Sequence, residues 1–200
     1  MSLIIYGGSF NPAGIHHEKV ASALREINIP NRHLIVAPCG STRTDKRISV
    51  SDFHRLRLCQ LAFNGIQIYP NDLVLNKFTP LIALDNFYQD MDPGNVYHVI
   101  GSDLIQNGAT GNSEIQKTWK HGEHIWNMLR YIVVTRAGYP LNRADLPPRC
   151  EHVLDLNLDG ASNEIRRRIR VGEPYDDLVS SDVAAYIREH NLYQPEGTET

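Results

Sequence analysis

A glycine-rich segment near the start of the chain is the first place where the residue types could bind a ligand. Gly7, Gly8 and Ser9 follow the apolar run at residues 3–6 and precede Phe10. Glycines let a backbone approach a ligand closely, and free N–H groups at a helix start can bind phosphate oxygens. The segment lacks both the Gly-Lys-Ser/Thr ending of a P-loop and the third glycine of the dinucleotide fingerprint. It therefore predicts either another kind of phosphate site or a tight turn without a ligand.

Two adjacent histidines open the first predicted helix. His16 and His17 would place an imidazole beside phosphates bound at the glycine turn. Because neighbouring helical positions point about 100° apart, we expect the two rings not to share one role. A lone histidine at a helix start is more often a surface or packing residue, but a pair directly after a glycine turn favours a function.

A third candidate segment lies far along the chain. Ser162 is a candidate helix N-cap, Asn163 would lie in the first turn, and Arg166 sits one turn inside. From there the guanidinium of Arg166 could reach an anion over the helix end. The neighbouring arginines are expected to form a solvated face: Arg167, Arg168 and Arg170.

Patterns for metal sites and disulfides are weak. Cys39, Cys59 and Cys150 are far apart and odd in number, which argues against a disulfide framework and favours a reducing compartment. His121 and His124 have helical spacing, but no third ligand is evident nearby. No protein-held metal is predicted.

Composition sets the class of protein. The 200 residues, with 42% apolar and 22% charged side chains, suit one globular domain. A net charge of −3 gives no support for broad nucleic-acid binding. The first residues lack the basic region of a signal peptide, and no apolar run approaches the ~18–20 residues that span a bilayer. We expect a soluble, cytoplasmic protein that binds no membrane.

The hydrophobic pattern alternates between strands and helices, which predicts an open parallel α/β sheet of Rossmann-like type, flanked by helices. Such sheets bind ligands beyond the carboxyl ends of their strands. A single domain is expected over residues 1–195, followed by a polar tail at 196–200. The predicted strands are 3–6, 34–37, 66–69, 96–100, 131–135 and 152–156. The predicted helices begin near 16 and 51 and cover 79–88, 123–129, 162–171 and 181–190, with a long polar loop at 39–50.

Together these segments resemble the nicotinate-mononucleotide adenylyltransferase family, within the HxGH nucleotidyltransferases. Residues 7–12, GGSFNP, are similar to the family's GG[ST]F[DN]P loop, and residues 162–166, SNEIR, to its ISSTxIR motif. The similarity covers nearly the whole chain in the family's order. The other segments of this chain that resemble the family are residues 45–46, 52–56, 100–103, 119–120, 133–140 and 183–193.

One departure concerns the histidine tetrad. The family's HxGH aligns with Gly14, Ile15, His16 and His17, so that only the second histidine is in place. We do not expect His16 simply to take the role of the histidine that is missing at position 14, because residues two apart on a helix face nearly opposite ways. That would require that Gly14 precede the helix and that the backbone reposition His16. Further departures are Ala161, Asn163 and a missing acidic residue around Thr79.

The resemblance implies a reaction in which the 5′-phosphate of nicotinate mononucleotide, or of a relative, attacks the α-phosphorus of ATP. Pyrophosphate leaves and a dinucleotide forms. Such chemistry requires in-line positioning and positive charge around the transferring phosphorus. Mg²⁺ would arrive with ATP, held mainly by phosphates and water. The implied partners are therefore ATP and a small phosphorylated acceptor, and a homo-oligomer is left open.

The resemblance also implies roles for particular residues. His17 and Arg166, with His16 as a further candidate, would stabilise charge on the triphosphate and the leaving group. Lys46 could close over the phosphates, although most lysines in a charged loop are merely solvated. The other nucleotide contacts fall on Gly7, Gly8, Ser9, Phe10, Gly101, Asp103, Ser162 and Asn163.

Two of the implied roles have structural alternatives. Asp103 is suited to ribose hydroxyls, or it caps the helix that follows Gly101. Trp119 would stack on the pyridine ring of the acceptor, with Thr79 as the second acceptor-binding candidate, or it packs in the core.

Three hypotheses remain open from the sequence: an active adenylyltransferase, a non-catalytic nucleotide-binding protein of the same fold, and a transferase with another acceptor. Loss of one charge-stabilising donor typically costs ~2.7–4 kcal/mol, which would leave a slow enzyme or a binder. If the altered tetrad limits turnover, the double substitution Gly14→His with His16→Gly is expected to raise it.

Overall fold

The structure is a computed structural model that describes residues 1–42, 48, 50–90, 95–160 and 162–195. Lys46 and half of the predicted loop at 39–50 lie outside the described residues, as do Ala161 and the predicted tail at 196–200.

The described part of the chain contains six strands and eight α-helices, with three short 3₁₀-helices between them. The strands are β1 Ser2–Gly8, β2 Arg32–Pro38, β3 Gln67–Ile68, β4 Val96–Gly101, β5 Arg130–Arg136 and β6 Cys150–Leu158. The helices are α1 Ile15–Glu26, α2 Asp52–Ala62, α3 Asn71–Val74, α4 Leu81–Gln89, α5 Glu114–Thr118, α6 Gly122–Met128, α7 Ser162–Val171 and α8 Ser181–Glu189.

The strands form one sheet in the order β3-β2-β1-β4-β5-β6. β1 pairs with β4, β4 with β5, and β5 with β6, all in parallel. The direction of progression reverses between β1 and β4, which makes the carboxyl end of β1 a topological switch point. The structure confirms the predicted Rossmann-like α/β class, and it places the glycine-rich segment at the position where such sheets bind ligands.

Burial on both faces explains why the sequences of the central strands are mostly apolar, without alternating polar residues. Residues 3–6 of β1 and residues 131–135 of β5 are all buried. A parallel strand covered on both faces has no solvent side on which polar residues could alternate.

The chain divides into two compact units. The first unit comprises Met1–Gly7, Ala23–Ile35 and Thr79–Asp159, and the second comprises Gly8–Ser22, Val36–Phe78 and Gly160–Thr200. The core of the first unit includes Ile100, Ile125, Trp126, Tyr131 and Val133. The core of the second is built from α2, α7 and α8 and includes Leu58, Ile165, Ile169, Val183 and Ile187. The expectation of a single domain over residues 1–195 stays a prediction.

Two short helices, α3 and α5, were not expected from the sequence. The four residues of α3 and the five of α5 are too few for a helical period to appear. A local signal for α5 exists, because Ser113 and Gln116 form a capping box at its start. None of the helices within the described ranges combines the length and apolar character needed to cross a bilayer.

Candidate active site

The loop between β1 and α1, residues 9–14, is held by donors from two helices of the second unit. Arg55 of α2 donates from Nη1 to the carbonyl of Ser9 at 2.8 Å. From α7, Arg166 Nη1 donates to the carbonyl of Asn11 at 2.6 Å, and Ser162 Oγ donates to that of Pro12 at 2.8 Å. The loop is thus tied to segments that lie far away in the sequence.

These bonds determine where the loop's amide groups point. The carbonyl of Gly8 accepts from the N–H of Cys39 at 2.9 Å. In a planar trans peptide the N–H points opposite to the carbonyl. The N–H groups of Ser9, Phe10 and Ala13 therefore point away from Cys39, Arg55 and Ser162 respectively. Oriented amides in a loop that leads into a helix can bind phosphate oxygens.

The buried side chain of Phe10 holds the loop in place. Its side chain is 1% exposed, and its ring packs edge-on against Phe63 and His17, with ring centroids 5.1 Å apart in each pair. A Cβ atom at Gly8 would lie 2.8 Å from Phe10 Cζ, so a side chain there would displace the ring. The backbone of Phe10 adopts a φ of 41°, which is unfavourable for a bulky residue and is maintained here by the surrounding packing.

Arg55 is a residue that the sequence placed only in a resembling segment, without assigning it to the site. Its side chain is 0% exposed, and Nη2 forms an ion pair with Asp52 Oδ1 at 2.5 Å. Asp52 Oδ2 also accepts from the amide and hydroxyl of Ser41, each at 3.3 Å. The i, i+3 spacing of Asp52 and Arg55 on a helix was the available signal.

The two histidines do not diverge as expected. Their ring centroids are 3.9 Å apart and the planes are tilted by 40°. The ring of His17 turns back, and its Nδ1 accepts from the N–H of Gly14 at 3.1 Å. The proton of a neutral His17 therefore lies on Nε2, which is then a donor. The two rings therefore lie together although neighbouring helical positions point about 100° apart, and the expectation that they do not share one role stays a prediction.

His16 packs against two glycines. A Cβ atom at Gly14 would lie 3.0 Å from His16 Cε1, and one at Gly160 would lie 2.7–2.9 Å from His16 Cγ, Nδ1 and Cβ. Gly14 precedes α1, which begins at Ile15. Residues 14 and 16 therefore do not share a helix, and helix geometry does not keep the ring of His16 away from position 14.

The start of α7 is partly as predicted. Ser162 is the first helical residue rather than the predicted N-cap, and the residue before it lies outside the described part of the chain. Asn163 is exposed, and its Oδ1 accepts from the N–H of Glu164 at 2.9 Å. Burial lowers the pKa of the half-buried Arg166. The arginines expected on a solvated face are partly or fully exposed, and two of them pair with carboxylates: Arg167 with Glu164 and Glu173, and Arg168 with Glu164 and Asp177.

The other described candidates belong to the first unit. Asp103 Oδ2 pairs with Arg136 Nη1 at 2.9 Å, and Gly101 rather than Asp103 holds the N-cap position of the short helix Ser102–Leu104. The capping alternative for Asp103 was therefore wrong. Asp103 Oδ1 is buried and has no hydrogen-bond partner within the described residues.

Trp119, Thr79 and Gly7 complete the candidates of the first unit. Trp119 is half-buried at the end of α5 and packs against the core of that unit, as its structural alternative proposed. Thr79 is half-buried before α4, and Gly7 is exposed near the end of β1. Within the described residues, no group of three or more histidine, cysteine or acidic side chains could hold a metal ion.

The fold is α/β of the nucleotidyltransferase type, and the donor-rich loop lies at its switch point. No family model matches the chain. Proteins named probable nicotinate-nucleotide adenylyltransferase from Thermus thermophilus and Gemmatimonas aurantiaca are 28% and 24% identical to it. The alignments cover 97% of this chain in both cases, and 100% and 93% of those relatives.

A solved structure has the same fold. It is the nicotinic acid mononucleotide adenylyltransferase of Plasmodium falciparum complexed with NaAD, with a TM-score of 0.76 and 22% identity over 96% of this chain and 97% of that one. Over nearly its whole length the chain is therefore similar in sequence to nicotinate-nucleotide adenylyltransferases, and it shares their fold.

Proposed function

We propose that the protein transfers the adenylyl group of ATP to nicotinate mononucleotide. An oxygen of the acceptor's 5′-phosphate forms a bond to the α-phosphorus of ATP. The bond from that phosphorus to the bridging α,β-oxygen breaks, and the electron pair leaves with pyrophosphate. The product is nicotinate adenine dinucleotide. The near full-length relatives carry this activity in their names, which supports the proposal.

The observation that carries the proposal is the convergence of α1 and α7 on one loop. Arg166 and Ser162 at the start of α7 donate to the loop that leads into α1, where His17 lies. Two helix starts and the oriented amides place positive potential around one small region, which suits a triphosphate and its leaving group. Arg166 adds a permanent cation, since guanidinium groups stay protonated in proteins.

We propose the following contacts between residues of the second unit and the nucleotide. The amides of Ser9 and Phe10 donate to phosphate oxygens, and Gly8 keeps the backbone accessible. His17 donates from Nε2 and Arg166 neutralises developing charge on pyrophosphate. The remaining proposed nucleotide contacts are Ser162 and Asn163, with Lys46 acting from the segment outside the described residues.

The first-unit candidates keep the roles that the family resemblance implies. We propose that Asp103, oriented by Arg136, accepts hydrogen bonds from ribose hydroxyls next to Gly101 and Gly7. Trp119 and Thr79 are proposed to contact the acceptor. The half-exposed ring of Trp119 can offer one face while its other parts pack on the core.

Magnesium is proposed to enter as the Mg·ATP substrate. Mg²⁺ usually keeps several waters and binds through substrate phosphates rather than in an all-protein cage. ATP and the reduced state of Cys39, Cys59 and Cys150 are both consistent with the proposed cytoplasmic location.

An assay with purified protein, Mg·ATP and separate phosphorylated acceptors tests the function. We expect pyrophosphate and a dinucleotide with nicotinate mononucleotide, and a lower kcat/KM with nicotinamide mononucleotide and with other sugar phosphates. Calorimetric binding of ATP without turnover on any acceptor would instead establish a non-catalytic nucleotide-binding protein. Turnover with another acceptor alone would establish a transferase of different specificity.

A further inference from the structure

The space around position 14 excludes a side chain in this protein. A Cβ atom at Gly14 would lie 2.9 Å from Ile165 Cδ1 and 2.9 Å from the carbonyl oxygen of Leu178. That carbonyl belongs to the backbone and accepts from the N–H of Ile15 at 2.9 Å, so it cannot move without disturbing the start of α1. The first histidine of the family tetrad therefore has no room at the position where it aligns.

The ring of His16 occupies this region instead. Its Cε1 lies beside Gly14, and its Cβ, Cγ and Nδ1 lie directly against Gly160, two residues before the start of α7. Any side chain at Gly160 would collide with the ring. The two glycines thus form a slot that accommodates one imidazole between the starts of α1 and α7.

The ring is also placed next to the second tetrad histidine. His16 and His17 have centroids 3.9 Å apart, and His17 is fixed by its bond to the Gly14 amide and by the edge of Phe10. Both histidines are half-buried and so remain accessible to a ligand. An imidazole N–H at two helix starts is well suited to donate to a phosphate oxygen.

We propose that His16 is a catalytic residue of this protein, donating from its imidazole to the polyphosphate of ATP in place of the absent histidine at position 14. Gly14 and Gly160 are the residues that make this transposed arrangement fit. The inference rests on the proposed adenylyl transfer for its kinetic part. Its binding part, contact with the polyphosphate, stands independently of which acceptor is used.

The test compares two substitutions of similar length and flexibility. His16→Gln keeps an N–H donor, whereas His16→Met keeps the volume and removes the donor. We expect His16→Met to lower kcat by about 10²–10³-fold, as for loss of one preorganised donor, and His16→Gln to retain a clearly larger share. His124→Met, at an exposed position of α6, serves as the control and should match the unsubstituted protein.

Thermal unfolding and calorimetric ATP binding complete the test. If His16 only fills space, both variants keep kcat within about twofold of the control, once kcat is corrected for the folded fraction. That result would overturn the proposed role of His16 and leave the proposed function unaffected. If the unsubstituted protein binds ATP but joins it to no acceptor, the function fails. The inference then survives only if His16→Met raises the Kd for ATP more than His16→Gln does. Absence of ATP binding overturns both.

Discussion

Arg55 is a buried cation whose contacts explain how the loop after β1 keeps its shape. The guanidinium bridges Asp52 on its own helix and the carbonyl of Ser9 in the loop. Replacing a buried ion pair as a whole can be neutral, but removing one partner leaves an uncompensated charge. The stability and the shape of the loop therefore depend on the same side chain.

Arg55→Met should lower the free energy of unfolding by about 3–5 kcal/mol, because Asp52 loses its ion-pair partner and the Ser9 carbonyl loses the guanidinium donor. Urea unfolding measures the change. Arg57→Met, on the exposed side of the same helix, should change the free energy of unfolding by no more than about 0.5 kcal/mol. Equal effects of the two substitutions would show that Arg55 makes no special contribution to the fold.

Arg166→Ala should raise the Kd for Mg·ATP by about 10- to 100-fold. The expected change follows from the loss of a charge-assisted hydrogen bond worth about 1.5–3 kcal/mol and of the loop contact at Asn11. Isothermal titration calorimetry gives the affinity. The control is Arg170→Ala, an exposed arginine one turn further along α7, which should leave the Kd unchanged. Unchanged affinity in both variants would remove Arg166 from the nucleotide site.

Residue types alone proposed His17, Arg166 and the glycine segment as candidates, because each follows from a local pattern near a helix start. The arrangement of the two rings could not be predicted in the same way. It depends on the backbone of Gly160 and Leu178, which approach His16 and Gly14 only in the folded chain. For the same reason the bond from Arg55 to the Ser9 carbonyl has no sequence signal.

The start of α1 determines which positions of the tetrad can carry a histidine. Since α1 begins at Ile15, position 14 belongs to the loop and is closed in by Ile165 and Leu178. The double substitution Gly14→His with His16→Gly, which the sequence alone favoured as a restoration, should therefore lower kcat and the thermal midpoint. Steady-state kinetics and thermal unfolding measure both. A rise in kcat would mean that the slot readily accepts the family arrangement.

Among the elements, length decided what could be predicted. Helices α7 and α8, of ten and nine residues, were predicted to within one residue, because apolar residues recur along them and buried positions follow that period. The short helices α3 and α5 were missed, since one turn shows no period. At α5 the capping residues Ser113 and Gln116 carried the only signal, and the helix is held mainly by its packing on the first unit.

The two compact units allow a test of whether the chain unfolds as one domain. Both tryptophans, Trp119 and Trp126, lie in the first unit, and Cys59 lies in the second. Burial raises the pKa of the Cys59 thiol to about 12, so the native thiol should resist alkylation. We expect the urea midpoints from tryptophan fluorescence and from Cys59 alkylation, measured by mass spectrometry, to coincide. Separate midpoints would contradict the single-domain prediction.

The central claim is that the starts of α1 and α7, far apart in sequence, bind one triphosphate through the loop between β1 and α1. Nuclear magnetic resonance of ¹⁵N-labelled protein titrated with Mg·ATP tests it most directly. We predict saturable shifts in the backbone amides of Ser9, Phe10 and Ala13, in the imidazoles of His16 and His17, and in the guanidinium of Arg166, all with one Kd. Saturable binding that leaves these signals unmoved, or that shifts those of α1 and α7 with different affinities, would contradict the account.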